Sequence, residues 1–255
     1  MVIVKDESLS AEAYRLNIEK NRIKIEAGDI QGANHGLASL LQLIMTAKDA
    51  QLPVLTIQDK PAFGYRGLML DCARHFWTVD ELKETLDHMA FFKLNTLHMH
   101  LTDNQAWRLS MDKYPDLVKE GTYYYDFPEL SGKYYSKEDL KEIVTYAGTR
   151  GIEIIPEVDL PGHSIALLAA LPELSCRGGK FEATPEERDW NKRKRGNENM
   201  ICIGNPQSFA FAEDVIDALI ENFSLRNIYI SEGMKFLLIF GKNVPNVWHF
   251  TNAKE

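Results

Sequence analysis

The chain has 255 residues, enough to bury a large core in one domain or in a small domain followed by a larger one. It is 45% hydrophobic and 26% charged, an ordinary balance for a globular protein. A net charge of −8 and a pI near 5.5 argue against nucleic acid or an anionic membrane as the main partner. The one basic run, Lys192-Arg193-Lys194-Arg195, follows the acidic Glu186 and Glu187 and reads as a solvated loop. No apolar run approaches the length of a membrane span. Residues 1–20 lack a charged stretch followed by an apolar one, so no signal peptide is expected there. Cys72, Cys176 and Cys202 have no paired spacing, so neither a zinc site nor a disulfide framework is expected.

In chain order, Tyr14, Leu16 and Ile18 alternate with polar residues. Glu19-Lys20-Asn21-Arg22 turns the chain, and Ile23 and Ile25 follow, which is a β-hairpin pattern. Residues 32–45 carry Leu37, Leu40, Leu41 and Ile44 at helical spacing, and 53–57 read as a strand. This ββαβ piece looks like the end of a small α/β domain, with a boundary near Asp59-Lys60-Pro61. From Tyr65 the rhythm becomes strand then helix: strand 66–71, helix 79–92 with Thr78 and Glu81 at its start, strand 94–101. A long Tyr- and Pro-containing loop spans 109–135, with a short helix inside it. Ser136 and Asp139 open the next helix, 137–150, and Gly151 closes it. Strand 152–159 and helix 206–223 complete the legible elements. Repeated βα units imply a parallel sheet, doubly wound or barrel-like.

Each predicted strand ends in polar groups: Asp71, Arg74 and His75; then Asp103; then Glu157, Asp159 and His163. A barrel lays out its active site at that carboxyl face. A doubly wound sheet usually offers a Gly-rich phosphate turn after its first strand, and none is present, so the barrel is favoured. His98 and His100, two residues apart, project from one face of their strand. Buried histidines with satisfied partners are the ordinary reading of such a pair. With Asp103, Asp159 and His163 they also allow a metal-dependent barrel hydrolase. Glu157 and Asp159 likewise share a face, as site residues or as a structural network. Arg74 has an alternative as an ion-pair partner of Asp71 or Asp103. Trp107 and Tyr123-Tyr124-Tyr125 read as packing before sugar stacking.

Three blocks carry a resemblance: Tyr65 to Phe76, with Arg74-His75-Phe76 at its end; Lys93 to Arg108; and Pro156 to His163, closing in Pro161-Gly162-His163. Together they resemble the family-20 glycoside hydrolases, the β-N-acetylhexosaminidases. The fold this implies is a (β/α)8 TIM-type barrel, here about its first half over 61–223, preceded by the end of the small α/β domain over 1–60. The resemblance implies that Arg74 binds the hydroxyls of a terminal amino sugar, which a fork of donors suits. It implies that Asp103 and His163 pair to support the general acid; Glu157 and Asp159 stay candidates on the strength of their shared strand face alone. The implied partners are N-acetylhexosamine-containing glycans or oligosaccharides, and no cofactor or metal is implied. Relatives of this kind are often periplasmic, secreted or lysosomal. Asn104 and Ala106 depart from an aspartate and a glycine usual in the family.

The implied chemistry is substrate-assisted hydrolysis, in which the sugar's acetamido oxygen attacks its own anomeric carbon. It needs an aspartate to orient the acetamido group and a glutamate as acid, in a Gly-Gly-Asp-Glu sequence. That sequence is absent, and Glu232 is the only carboxylate near its expected place. One legal codon choice for residues 224–235, read one nucleotide earlier, gives Phe-Pro-Ser-Glu-Tyr-Ile-His-Ile-Gly-Gly-Asp-Glu. Residues 240–247 likewise allow Trp-Glu-Lys-Cys-Pro-Lys-Cys. The expectation is therefore a truncated chain with a frameshifted tail over 224–255, inactive on its own. A non-catalytic sugar binder that keeps Arg74 is the remaining alternative.

Overall fold

The structure is a computed structural model that describes residues 1–122, 131–178, 200–223, 229–231 and 236–239, the last two stretches by their backbone. Tyr123-Tyr124-Tyr125 and the basic run at 192–195 lie outside the described residues. The chain divides into two compact units, one of residues 1–68, 79–97 and 145–153, the other of 69–78, 98–144 and 154–255.

The first unit holds a four-stranded sheet in the order β1 (Val2–Lys5), β3 (Arg22–Ala27), β2 (Tyr14–Glu19), β4 (Leu55–Asp59). β2 and β3 form the expected antiparallel hairpin, with Leu16 opposite Ile25. β1 was not foreseen. It is four residues long and pairs parallel to β3 at the sheet's edge, with no turn signal to announce it. Helix α1 (Ile30–Thr46) starts two residues before the apolar spacing suggests, because the Asp29 carboxylate accepts from the Gly32 amide at 2.8 Å as an N-cap. Tyr14, Leu16, Ile18, Ile25, Ala27, Ala33 and Leu40 form the core between α1 and the sheet. Of the four apolar residues read at helical spacing, Leu41 and Ile44 are exposed instead. A side chain at Gly36 would meet Ile25 at 2.7 Å, so glycine lets α1 lie close to the sheet.

The same unit includes helix α2 (Val79–Phe91), whose Leu82, Leu86 and Met89 are buried. Polar contacts tie these parts together. Lys93 Nζ donates to Asp59 and to Tyr14 Oη, both at 2.9 Å. Arg66 pairs with Glu12 at 2.5 Å, and Gln42 donates to the Phe91 carbonyl at 2.7 Å.

A five-stranded sheet runs in the order β5 (Gly67–Asp71), β6 (Thr96–Thr102), β7 (Glu153–Leu160), β9 (Phe236–Ile239), β8 (Tyr229–Ser231). β5, β6 and β7 follow one another through α2 and α4 (Lys137–Thr149), the crossover that parallel neighbours require. β6 and β7 are almost wholly buried, as strands covered on both faces should be. The expected capping box is present at α4: the Ser136 amide donates to Asp139 at 2.9 Å, and the Asp139 amide to Ser136 Oγ at 3.1 Å. Gly151 follows with φ of +70°, a conformation glycine adopts at little cost.

The second unit contains the short α3 (Asp116–Lys119), α5 (Ile165–Ala170) and α6 (Pro206–Phe223). Phe211, Val215, Leu219 and Phe223 make the buried stripe of α6. Trp107 packs against Phe211 with its Nε1 donating to the Leu109 carbonyl at 2.7 Å, so it serves the core. The cysteine expectation is corrected: Cys176 and Cys202 form a disulfide 26 residues apart, leaving Cys72 free and buried. The spacing of two lone cysteines carries no signature; only their meeting in space does. Among the described residues, no helix is long and apolar enough to cross a membrane.

Candidate active site

Asp103 stands just past β6, almost fully buried, with four donors on its two oxygens. Arg74 Nη2 at 2.5 Å and His100 Nε2 at 3.1 Å reach Oδ2. His163 Nδ1 at 3.0 Å and the Asn104 amide at 2.6 Å reach Oδ1. Burial alone would raise the Asp103 pKa, but the bonds from His100 and His163 and the Arg74 charge hold it far below the carboxylate range. It is a fixed anion.

The backbone explains why these groups meet. Asp71, at the end of β5, accepts from the amides of Ala73 and Arg74 at 3.1 and 2.9 Å and so folds the chain back. Its other oxygen pairs with Arg74 Nη1 at 2.6 Å. Arg74 therefore bridges Asp71 and Asp103, so both of its ion-pair alternatives are realised, while its side chain stays 44% exposed. Burial would lower its pKa, yet Asp71, Asp103 and Asp159 raise it. On the other side, His163 has φ of +54°, a left-handed turn after Gly162. Asn104 accepts from the Ile165 amide at 3.3 Å, which joins the two loops; at this position a side-chain oxygen suffices.

Behind Asp103 the same-face reading of both strands holds. His98 Nε2 and His100 Nδ1 lie 2.5 and 3.0 Å from the two oxygens of Glu157. Burial is the largest influence on His100 and opposes its charge, but bonds to Asp103 and Glu157 raise its pKa to about 10. Glu157 is the reciprocal case: burial would raise it, and His100 and His98 lower it to about 2. Asp159 differs. Its amide donates to Thr102 Oγ1 at 3.1 Å, but its Oδ1 is buried without a partner among the described residues. Burial raises its pKa, and Glu157 and Asp103 add to this against His100 and His163.

Two triplets, His100–Glu157–Asp159 and Asp103–Asp159–His163, place ligand-type atoms within 4.8 Å of one another. Most of these atoms are already engaged. His100 commits both ring nitrogens to carboxylates, and Asp103 holds Arg74 and His163. The Arg74 guanidinium already sits against Asp103, so a metal there would have to displace contacts made by this chain's own residues.

Arg108 closes the polar and aromatic cluster that follows Asp103 in the sequence, but the sequence assigned it no role of its own. Fully buried, it donates to the carbonyls of Cys72 and Ala73 at 3.2 Å and of Lys133 at 2.7 Å, with its guanidinium 5.5 Å from the centre of the Phe76 ring. It thus pins the segment that presents Arg74. An arginine six residues beyond the end of β6 was a signal, but its targets are backbone atoms that no motif records.

Comparison with known proteins matches two family profiles in succession. The one described as "Glycosyl hydrolase family 20, domain 2" covers residues 2–60, and "Glycosyl hydrolase family 20, catalytic domain" covers 63–233. A beta-hexosaminidase of Porphyromonas gingivalis is 38% identical over 219 residues, 82% of this chain and 27% of that protein. One of Vibrio furnissii is 34% identical over 241 residues, 90% of this chain and 38% of that protein. Among solved structures, the Bacteroides fragilis beta-N-acetylhexosaminidase superposes with a TM-score of 0.78 at 32% identity, over 88% of this chain and 43% of that one. The Vibrio harveyi exo beta-N-acetylglucosaminidase, solved with N-acetylglucosamine, gives 0.75 at 34% identity, over 88% and 36%. The chain thus spans less than half the length of each.

Proposed function

This chain belongs to glycoside hydrolase family 20, and from that premise we propose that it carries the sugar-binding half of a β-N-acetylhexosaminidase site without the half that performs the chemistry. The observation that carries this reading is the Arg74–Asp103–His163 cluster, a half-exposed guanidinium locked against a buried carboxylate and a histidine. In it Arg74 binds vicinal hydroxyls of a terminal N-acetylhexosamine through its remaining N–H donors, in a fork that suits a diol. Asp103 holds the tautomer and orientation of His163, leaving Nε2 to face a neighbouring carboxyl acid. The substrate's acetamido oxygen would be the nucleophile and a glutamate the acid, preceded by the aspartate that orients the acetamido group. No Asp-Glu pair follows Phe223 in this sequence.

We further propose that 224–255 are a frameshifted tail. Support comes from the two codon readings and from the backbone itself. β9 runs antiparallel to β7, with Glu157 opposite Ile239 and Asp159 opposite Leu237. A βα repeat would bring a parallel strand to that edge.

The expected outcome is weak binding of N-acetylglucosamine by calorimetry, lost in Arg74→Ala, with no turnover of a chromogenic N-acetylglucosaminide. Turnover at the rate of an intact family member would refute the missing-acid reading. A gene sequence that encodes no Gly-Gly-Asp-Glu in any frame would end the frameshift proposal.

A further inference from the structure

The proposed chemistry uses Asp103 and His163 but assigns nothing to the groups behind them. Those groups form a continuous series in which imidazole and carboxylate alternate. His98 Nε2 approaches Glu157 Oε2 at 2.5 Å, without the angle of a directed hydrogen bond. Glu157 Oε1 is 3.0 Å from His100 Nδ1, and His100 Nε2 is 3.1 Å from Asp103 Oδ2. Asp103 Oδ1 is then 3.0 Å from His163 Nδ1. The series exists because alternate residues of β6 and of β7 face the same way on neighbouring strands.

A neutral imidazole has one N–H donor and one lone pair. His100 has a carboxylate oxygen at each nitrogen, so in the neutral form one lone pair would point at an anion. Only the doubly protonated ring satisfies both contacts. Removing the Glu157 charge takes away one reason for the second proton. A ring that keeps its proton on Nδ1 would then turn a lone pair toward Asp103.

We propose that Glu157 is a positioning residue for the Asp103–His163 pair, acting through His100: by holding that ring as a two-donor cation it fixes the carboxylate plane on which Arg74 and His163 both depend. The inference rests on the reading in which Asp103 and His163 support an acid. The charged and titratable groups facing His100 are Asp103, Glu157 and Asp159, with Arg74 and His163 across Asp103. The competing account is that Glu157 only fills space between two strands.

The test is nitrogen-15 NMR of the histidine rings in this chain, which needs neither substrate nor turnover. At about pH 8, above the ordinary histidine value of about 6.5, wild-type His100 is expected to carry protons on both nitrogens. Glu157→Gln should lose one of them and shift the His163 Nδ1–H signal, although no Glu157–His163 contact is involved. Glu157→Asp, which keeps the charge, should retain the second proton. A singly protonated His100 in the wild type overturns the proposal, and this arm does not depend on any variant folding. So does a folded Glu157→Gln chain whose His163 signal stays in place, since the effect would then stop at His100. Failure to bind N-acetylglucosamine, with these signals as expected, would instead count against the sugar-site reading.

Discussion

His100 makes the stability of the chain depend on pH in a direction that can be worked out. Its folded pKa, about 10, lies above the unfolded value of about 6.5. Its contribution is therefore fully present below about pH 6.5 and is lost as the pH rises toward about 10. Glu157 and Asp103 are depressed instead, so their contributions are present above about pH 4 and fade as the pH falls through their folded values. The same contacts appear in all three shifts and are not counted three times. For this buried ring we expect stability to fall by on the order of 3 kcal/mol across the alkaline window, measured by urea unfolding, and His100→Asn to flatten that slope. At this scale the motifs made Arg74, Asp103 and His163 legible, because those residues sit in blocks with fixed spacing. The engagement of His100 with Glu157 was not. Alternation assigns side chains to a face, but no sequence distance says which strands become neighbours.

Helix α4 was legible at its start because its stop and start signals are local. Ser136 and Asp139 satisfy each other's amides, the chemistry their three-residue spacing implies. Ser136→Ala should cost about 1 kcal/mol, read as a lower unfolding midpoint, with sugar binding unchanged. α6 was equally legible, since its buried residues repeat every four positions. The elements that escaped are those with non-local causes. β1 is a strand only because β3 offers an edge beside it, and α5 is a six-residue helix too short to show a period. The Cys176–Cys202 bridge belongs with them, since no spacing rule joins those cysteines. Cys176→Ser with Cys202→Ser should destabilise the chain by about 2–4 kcal/mol against unfolding, without altering the imidazole signals of His100.

At the scale of the molecule the telling strand is β5. Gly67–Asp71 carries Leu68, Met69 and Leu70 in succession, a denser apolar run than β6, and lies at the outer edge of the five-stranded sheet, yet only its last two residues are partly covered. Leu68 and Met69 point to opposite faces by alternation, and both are exposed, Met69 by 55%. A strand of a parallel sheet is ordinarily buried on both faces, and a closed barrel leaves no edge at all. The residues of β5 are thus those of an interior strand left largely exposed among the described residues. It also has none of the usual protections of an edge, since it contains no lysine, no proline and no charge before Asp71. Two copies can pair their β5 strands antiparallel about Met69 without opposing like charges, as Gly67 then faces Asp71. We expect sedimentation to show association that strengthens with concentration. Met69→Lys should weaken it about tenfold or more, because burying a methionine is worth about 1.5–3 kcal/mol and an edge lysine repels a second strand. A chain that sediments as a monomer at every concentration, or one whose association ignores that lysine, would place the contact elsewhere or remove it.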